Sequence, residues 1–304
     1  MVLVIAGHIL RGSTFYYNSA CVVLEEWIYT FHMPLFIFLS GYFSRKKDKG
    51  SFPSSIWKLL EPLIIYHIIG ISIESLYSGS ITLKAILTPW YVLWYLLSLI
   101  YWRCMIQYTP DKLLSNTKLV LIASFCISVV AGYFPFLSQL SISKTFEYLP
   151  YFFLGYCMRG KNLFLPIKYR PICLLFLIVT LVIPLIYPQY LESYKFAGLE
   201  KTILMFGLVV AMSVSFLNIC PNTKWIAKQG RLIMQYNIYH AFILRPFLVA
   251  ISVFHLPTTL TAAIFYTIVV ALILGIASYL PYFNDLTNPS TVWKRCMSYR
   301  GGSI

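Results

Sequence analysis

IYTFHMPLFIFLSGYFSRKK, residues 28–47, holds an apolar run from Ile28 to Phe43 that contains no Asp, Glu, Lys or Arg and a single histidine, His32, and it ends in the consecutive cations Arg45, Lys46 and Lys47. At about 1.5 Å per residue, a helix of this run crosses most of a hydrocarbon core about 30 Å thick. Basic residues directly after an apolar helix mark its cytoplasmic end. The stretch therefore reads as a transmembrane helix that runs inward.

The rest of the chain repeats this pattern. Apolar runs occupy 1–10, 28–43, 57–77, 90–108, 119–137, 148–158, 171–187, 199–219, 232–254 and 260–283 of the 304 residues. The composition agrees, at 59% hydrophobic and 11% charged, with a mean hydropathy of +0.73. A soluble domain carries roughly 25% charged residues, so the composition excludes intrinsic disorder and argues strongly against a water-soluble fold. The runs are continuous and lack two-residue alternation, which argues against a closed β-barrel. The expected fold is all-α, a polytopic bundle of about ten transmembrane helices with both termini cytoplasmic. One transmembrane domain over 1–283 would be followed by a cytoplasmic tail over 284–304. Several runs are shorter than a full span, so they extend into polar flanks or pack inside the bundle.

The net charge of +14, from 24 Lys+Arg against 10 Asp+Glu, would suggest nucleic acid in a soluble protein. Here it sorts by side. With the N-terminus inside, the inner connections and tail carry 18 of the basic residues and the outer connections five (Arg11, Lys84, Lys144, Lys195 and Lys201), leaving Arg245 within a run. The excess follows the positive-inside rule, so the partner it implies is a lipid bilayer and no nucleic acid. The seven cysteines are scattered without a C-x-x-C pair. They read as buried small hydrophobes, and neither a metal site nor a disulfide framework is expected. No basic segment precedes the first run, so no cleavable signal peptide is read.

Ionisable residues inside membrane segments are costly and mark functional candidates. Those singled out are His8, His32, Glu61, His67, His240 and Arg245, with His255 in the loop after the ninth run. A lone neutral histidine is more often satisfied by one hydrogen bond than catalytic. His8 and His32 differ because they lie in consecutive helices joined by a short loop, which can bring both imidazoles into one cavity. A histidine pair there suits general acid/base catalysis, and it suits a proton-coupled transporter equally.

FHMPLFIFLSGYFSRKK, residues 31–47, resembles the signature of the acyltransferase-3 superfamily of integral membrane enzymes. Four further segments are similar to the family in order: VLVIAGHIL (2–10), TPWYVLWYLLSLIYWR (88–103), LPYFFLGYCMRGK (149–161) and GRLIMQYNIYHAFI (230–243). Within the superfamily the pattern looks closest to the fucose 4-O-acetylase type found in exopolysaccharide, capsule and nodulation-factor pathways. The resemblance implies a multi-pass enzyme of the bacterial cell membrane that moves an acyl group, usually acetyl, from acyl-CoA to a carbohydrate hydroxyl. Acetyl-CoA would be a co-substrate, with no cofactor held permanently.

On that reading His8 is the candidate base for the acceptor hydroxyl. His32 would orient His8, donate to the oxyanion or relay the proton; alternatively it pins two helices by a hydrogen bond. Arg45, Lys46 and Lys47 become candidate contacts for the CoA phosphates, with membrane anchoring as their ordinary alternative. Trp94 and Tyr95 are candidates to meet a sugar ring or the pantetheine arm, the alternative being packing or an interfacial belt. Tyr239 and His240 sit on adjacent faces of one helix, so at most one of them points into a given cavity, and His240 is favoured, behind the residues that touch substrate. Ser40 and Gly41 fit close helix packing, and no G-x-S-x-G elbow supports a serine nucleophile. A polysaccharide or lipid-linked-sugar transporter is the alternative function, though no two similar halves with broken helices are evident.

One departure concerns the first helix. The family carries an Arg about ten residues before its first histidine, whereas Met1 is seven residues before His8. The expectation is that coding begins upstream of Met1 or that the sequence is truncated, and the upstream DNA should then encode an in-frame apolar extension with an Arg at that spacing.

Overall fold

The computed structural model of the chain describes residues 1–12, 15, 18–131, 139–186, 199–221, 223–280 and 283. The expected tail over 284–304, with Cys296, lies outside the described residues. All ten apolar runs correspond to helices: α1 (Val2–Leu10), α2 (Ser19–Tyr42), α3 (Ser51–Ser78), α4 (Trp94–Tyr108), α5 (Thr117–Ala131), α6 (Leu149–Cys157), α7 (Arg170–Ile186), α8 (Leu199–Ile219), α9 (Ile233–Val253) and α10 (Leu260–Ala277). Among the described residues there is no strand.

Helix length alone does not show all ten spans. Among the described residues, five helices are long and apolar enough to cross a membrane, over Ser19–Tyr42, Ser51–Leu76, Ile167–Ile186, Ile233–Val253 and Leu260–Ala277. Among the others, α1 and α6 have nine residues each, about 14 Å of rise against a core of about 30 Å.

The chain forms two compact units. The first comprises Met1–Phe43, Tyr151–Arg231 and Phe242–Ile273; the second comprises Ser44–Pro150, Leu232–Ala241 and the described residues from Leu274 on.

In the first unit α2 packs against α1, α7 and α8. Phe31 and Leu35 of α2, Leu177 of α7 and Met212 of α8 form the centre of this core, with Trp27 and Phe216 packed against it. Helix α7 shows how the sequence divides its faces. Its buried residues are Cys173, Leu177, Thr180 and Pro184, spaced at one helical face, while Ile172, Leu175, Ile178, Val182, Ile183 and Ile186 are exposed. The polar member of the buried face, Thr180, accepts a hydrogen bond from Trp27 Nε1 at 3.1 Å. Apolar side chains outward and a satisfied polar group inward is the pattern that lipid favours.

Helix α2 begins nine residues before its apolar run, at Ser19. Asn18 caps it, its side-chain oxygen accepting the backbone N–H groups of Ala20 and Cys21 at 3.1 and 3.2 Å, as an N-cap asparagine does. Near the other end, Gly41 lies against the backbone carbonyl of Phe152 on α6, and Gly155 on α6 lies against the carbonyl of Phe38.

In the second unit α3 packs against α4, and α4 and α5 both pack against the short helix Ile142–Glu147. The ring of Trp90 occupies the space a side chain at Gly70 would need. Trp90 Nε1 donates to Glu74 at 2.9 Å, and its backbone N–H donates to His67 Nδ1 at 3.0 Å. His67 Nε2 in turn donates to the Ile86 carbonyl at 2.9 Å. Both ring nitrogens of His67 are thus used in fastening the segment before α4 to α3, which makes His67 structural.

Candidate active site

Helices α1 and α2 bring His8 and His32 to the same tyrosine. Tyr29 lies three residues before His32, on the same face of α2. Its hydroxyl is 3.1 Å from His8 Nδ1. Its ring meets the His32 ring edge to face, with centroids 4.8 Å apart. Gly7 makes room for this approach, since a Cβ there would stand 3.0 Å from Tyr29 Cε2. Arg11 lies over the Tyr29 ring, its Cζ 4.3 Å from the centroid, and pairs through Nε with Glu25 at 3.2 Å. Glu25 is buried while Arg11 is largely exposed. A buried carboxylate is tolerated when it is paired, so the ion pair explains how Glu25 sits within an otherwise apolar helix.

The two histidines are held differently. His32 is 5% exposed, and its Nδ1 is 2.7 Å from the Ile28 carbonyl one turn earlier. A carbonyl oxygen only accepts, so Nδ1 carries the hydrogen and the neutral ring has its lone pair on Nε2. His8 is half-buried, and its Nδ1 faces a hydroxyl, which accepts or donates.

His240, in the second unit, repeats the His32 arrangement. It is fully buried and its Nδ1 donates to the Tyr236 carbonyl at 2.8 Å. That places it among interior side chains. Tyr239 donates its hydroxyl to the Phe283 carbonyl at 3.2 Å and accepts from Tyr66 at 3.4 Å. Trp94 stacks on Tyr148, with ring centroids 5.6 Å apart, and Lys144 Nζ lies 4.7 Å from the Trp94 ring centroid on its face. Tyr95 is buried. Arg245 is exposed on α9.

The second unit also contains a cavity of about 360 Å3 lined by Lys47, Ser51, Ser54, Ser55, Lys58, Leu59, Arg103 and Met234. Three cations and three serines line it beside the N-terminal end of α3, where the helix dipole adds partial positive charge. Lys47 is fixed by a paired amide, its N–H donating to Gln107 Oε1 at 3.0 Å and its carbonyl accepting from Gln107 Nε2 at 2.9 Å. Asp48 adjoins Lys47, and a hydrogen bond from Ser51 holds its carboxyl below the usual carboxylate range. Of the three cations expected to meet phosphate, Lys47 alone lines this cavity. Lys46 Nζ is committed to the Thr109 carbonyl and the Asp111 carboxylate, each at 2.6 Å, and Arg45 is exposed.

The family model described as an acyltransferase domain, that of acyltransferase family 3, matches residues 1–280. The chain belongs to this family. No curated protein and no solved structure matches it significantly. Membership makes the protein a membrane acyltransferase, and its long apolar helices give it the required multi-pass character. Sequence reasoning reached His8 and His32 of this acyltransferase but passed over Tyr29, Arg11 and Glu25. The spacing of Tyr29 from His32 was the available signal. It also passed over Lys58, Arg103 and the serines of SFPSS, which sit between basic residues at a helix start.

Proposed function

We propose that the protein is a membrane O-acetyltransferase that moves acetyl from acetyl-CoA to a hydroxyl of a cell-surface or exported carbohydrate, with His8 as general base. The observation that carries this reading is the convergence of His8 and His32 on Tyr29 within one helical unit. An alcohol is a weak nucleophile until a base takes its proton, and a histidine is suited to that transfer near neutral pH. The acceptor oxygen attacks the thioester carbonyl carbon, and the new C–O bond replaces the C–S bond. The hydroxyl proton passes to His8 and then to the sulfur, leaving an ester and free CoA thiol. His32, with its lone pair on Nε2, is an acceptor beside this path.

The basic cavity is the proposed seat of the CoA phosphates. Its cations, Lys47, Lys58 and Arg103, all belong to the set that the charge tally puts on the cytoplasmic side, where acyl-CoA is found. Arginine is the side chain best shaped to grip phosphate through two parallel N–H bonds. The FHMPLF…SGY resemblance supports a carbohydrate acceptor of the fucose 4-O-acetylase kind and a place in the cell membrane.

The test supplies acetyl-labelled acetyl-CoA and a carbohydrate acceptor to membranes that contain the protein. Label should appear on the carbohydrate as an ester. Arg103→Glu should raise the KM for acetyl-CoA about 10- to 100-fold, the worth of one charge-assisted hydrogen bond, with kcat changed much less. Lys112→Glu, a change of equal charge outside the cavity, should leave KM near wild type. An equal rise in both variants would assign the effect to the general field, and no transfer by the wild-type protein to any hydroxyl acceptor would remove the reading.

A further inference from the structure

The geometry points to Tyr29 as a positioning residue for acyl transfer, its hydroxyl oxygen accepting the Nδ1–H of His8 as that ring takes up the acceptor's proton. This inference rests on His8 being the base.

Tyr29 is fixed from three directions. One face of its ring carries the Arg11 guanidinium at 4.3 Å, and Arg11 is itself tied to Glu25 at 3.2 Å. The His32 ring meets it at right angles, 4.8 Å between centroids. Gly7 admits it to α1, where any side chain would press on Cε2. A phenol so confined has little rotational freedom left, and its oxygen is delivered to His8 Nδ1 at 3.1 Å.

The chemistry of the pair follows from donor counting. A neutral imidazole has one N–H and one lone pair, whereas an imidazolium has two N–H groups and no acceptor. When Nε2 takes the proton, Nδ1–H requires an acceptor, and Tyr29 Oη is already in place. The Glu25 carboxylate balances Arg11, so the cation over the ring holds the phenol without adding an unpaired positive charge near the forming imidazolium. An interaction that strengthens as the proton moves lowers the barrier and raises kcat without tightening ground-state binding.

Tyr29→Phe is the direct test because it keeps the ring under Arg11 and against His32 and removes only the oxygen. It should lower kcat about 10- to 100-fold, as expected for loss of one hydrogen bond to a charged group, with KM for acetyl-CoA and for the acceptor within about twofold. Mono- and difluorinated tyrosine at position 29 make the oxygen a progressively weaker acceptor with almost no change of shape. They should lower kcat in that order, which a role confined to packing would not do. Wild-type kcat in Tyr29→Phe, or kcat indifferent to fluorination, would overturn the assignment while an inactive His8→Ala left the base in place. A fully active His8→Ala would instead remove the reading underneath.

Discussion

Substituting His8 by alanine should lower kcat for label transfer from acetyl-CoA to carbohydrate by about 10³-fold, within the 10²- to 10⁴-fold span typical of a general base. The substitution removes a half-buried ring whose hydroxyl partner is Tyr29. A lost neutral hydrogen bond costs about 1 kcal/mol, so the protein should stay folded, and melting lowered by no more than about 2–4 °C in the purified variant would separate chemistry from stability. On the proposed reading KM for acetyl-CoA should change little, because a base there would act on the acceptor proton and not on the donor phosphates. His32→Ala is the informative companion. If His32 only braces α2, its removal should leave kcat within a few-fold; a loss approaching that of His8→Ala would put Nε2 of His32 on the proton's path. Retention of wild-type kcat by both variants would remove both histidines from the mechanism.

How much of this was legible in the sequence differs between fold and site. Hydropathy located the ten longer helices, because burial in lipid requires long apolar runs, but it passed over short helices such as Ile142–Glu147 and Lys224–Gly230. It does not fix helix ends. The apolar run of α2 starts at Ile28, and the helix extends into the polar flank through Glu25 and Glu26 to Ser19, behind the Asn18 cap. Glu25 does not stop it because Arg11, eleven residues into the chain, neutralises the carboxylate. That pairing depends on the turn between α1 and α2 and has no signature in residue spacing.

The histidines were visible because ionisable groups are scarce in membrane helices. Tyr29 was not, since it is one of 24 tyrosines in a chain with 17% aromatic residues. Lys58 and Arg103 were hidden for a related reason. Among 24 basic residues sorted by the positive-inside rule, topology accounts for each of them equally well, and only the cavity separates them from their neighbours. Lys46 is the converse case, for its contacts with Asp111 and Thr109 could not be foreseen from its place in an Arg-Lys-Lys run.

The glycines of the two motifs carry the largest expected effect on stability. FLSGY, residues 38–42, and FFLGY, residues 152–156, share an F-x-x-G-Y pattern. The two turns cross reciprocally: a Cβ on Gly41 would meet the Phe152 carbonyl and stand 3.1 Å from Tyr156 N, while one on Gly155 would meet the Phe38 carbonyl and stand 2.9 Å from Tyr42 N. These obstacles are backbone atoms of α2 and α6, so no rotamer change relieves them and the helices themselves must part. Small residues at such crossings are what allow helices to pack closely in a membrane. Gly41→Ala and Gly155→Ala should each cost about 3 kcal/mol, at the upper end for overpacking, and lower the melting temperature of the detergent-solubilised protein by about 6–12 °C. Valine at either position should abolish accumulation of folded protein. Gly207→Ala is the control, since that site on α8 has open space around it and alanine is the better helix former there. It should melt at or slightly above wild type. Equal melting of Gly41→Ala and Gly207→Ala would mean that the α2–α6 crossing bears no load, and the motif glycines would then need another explanation.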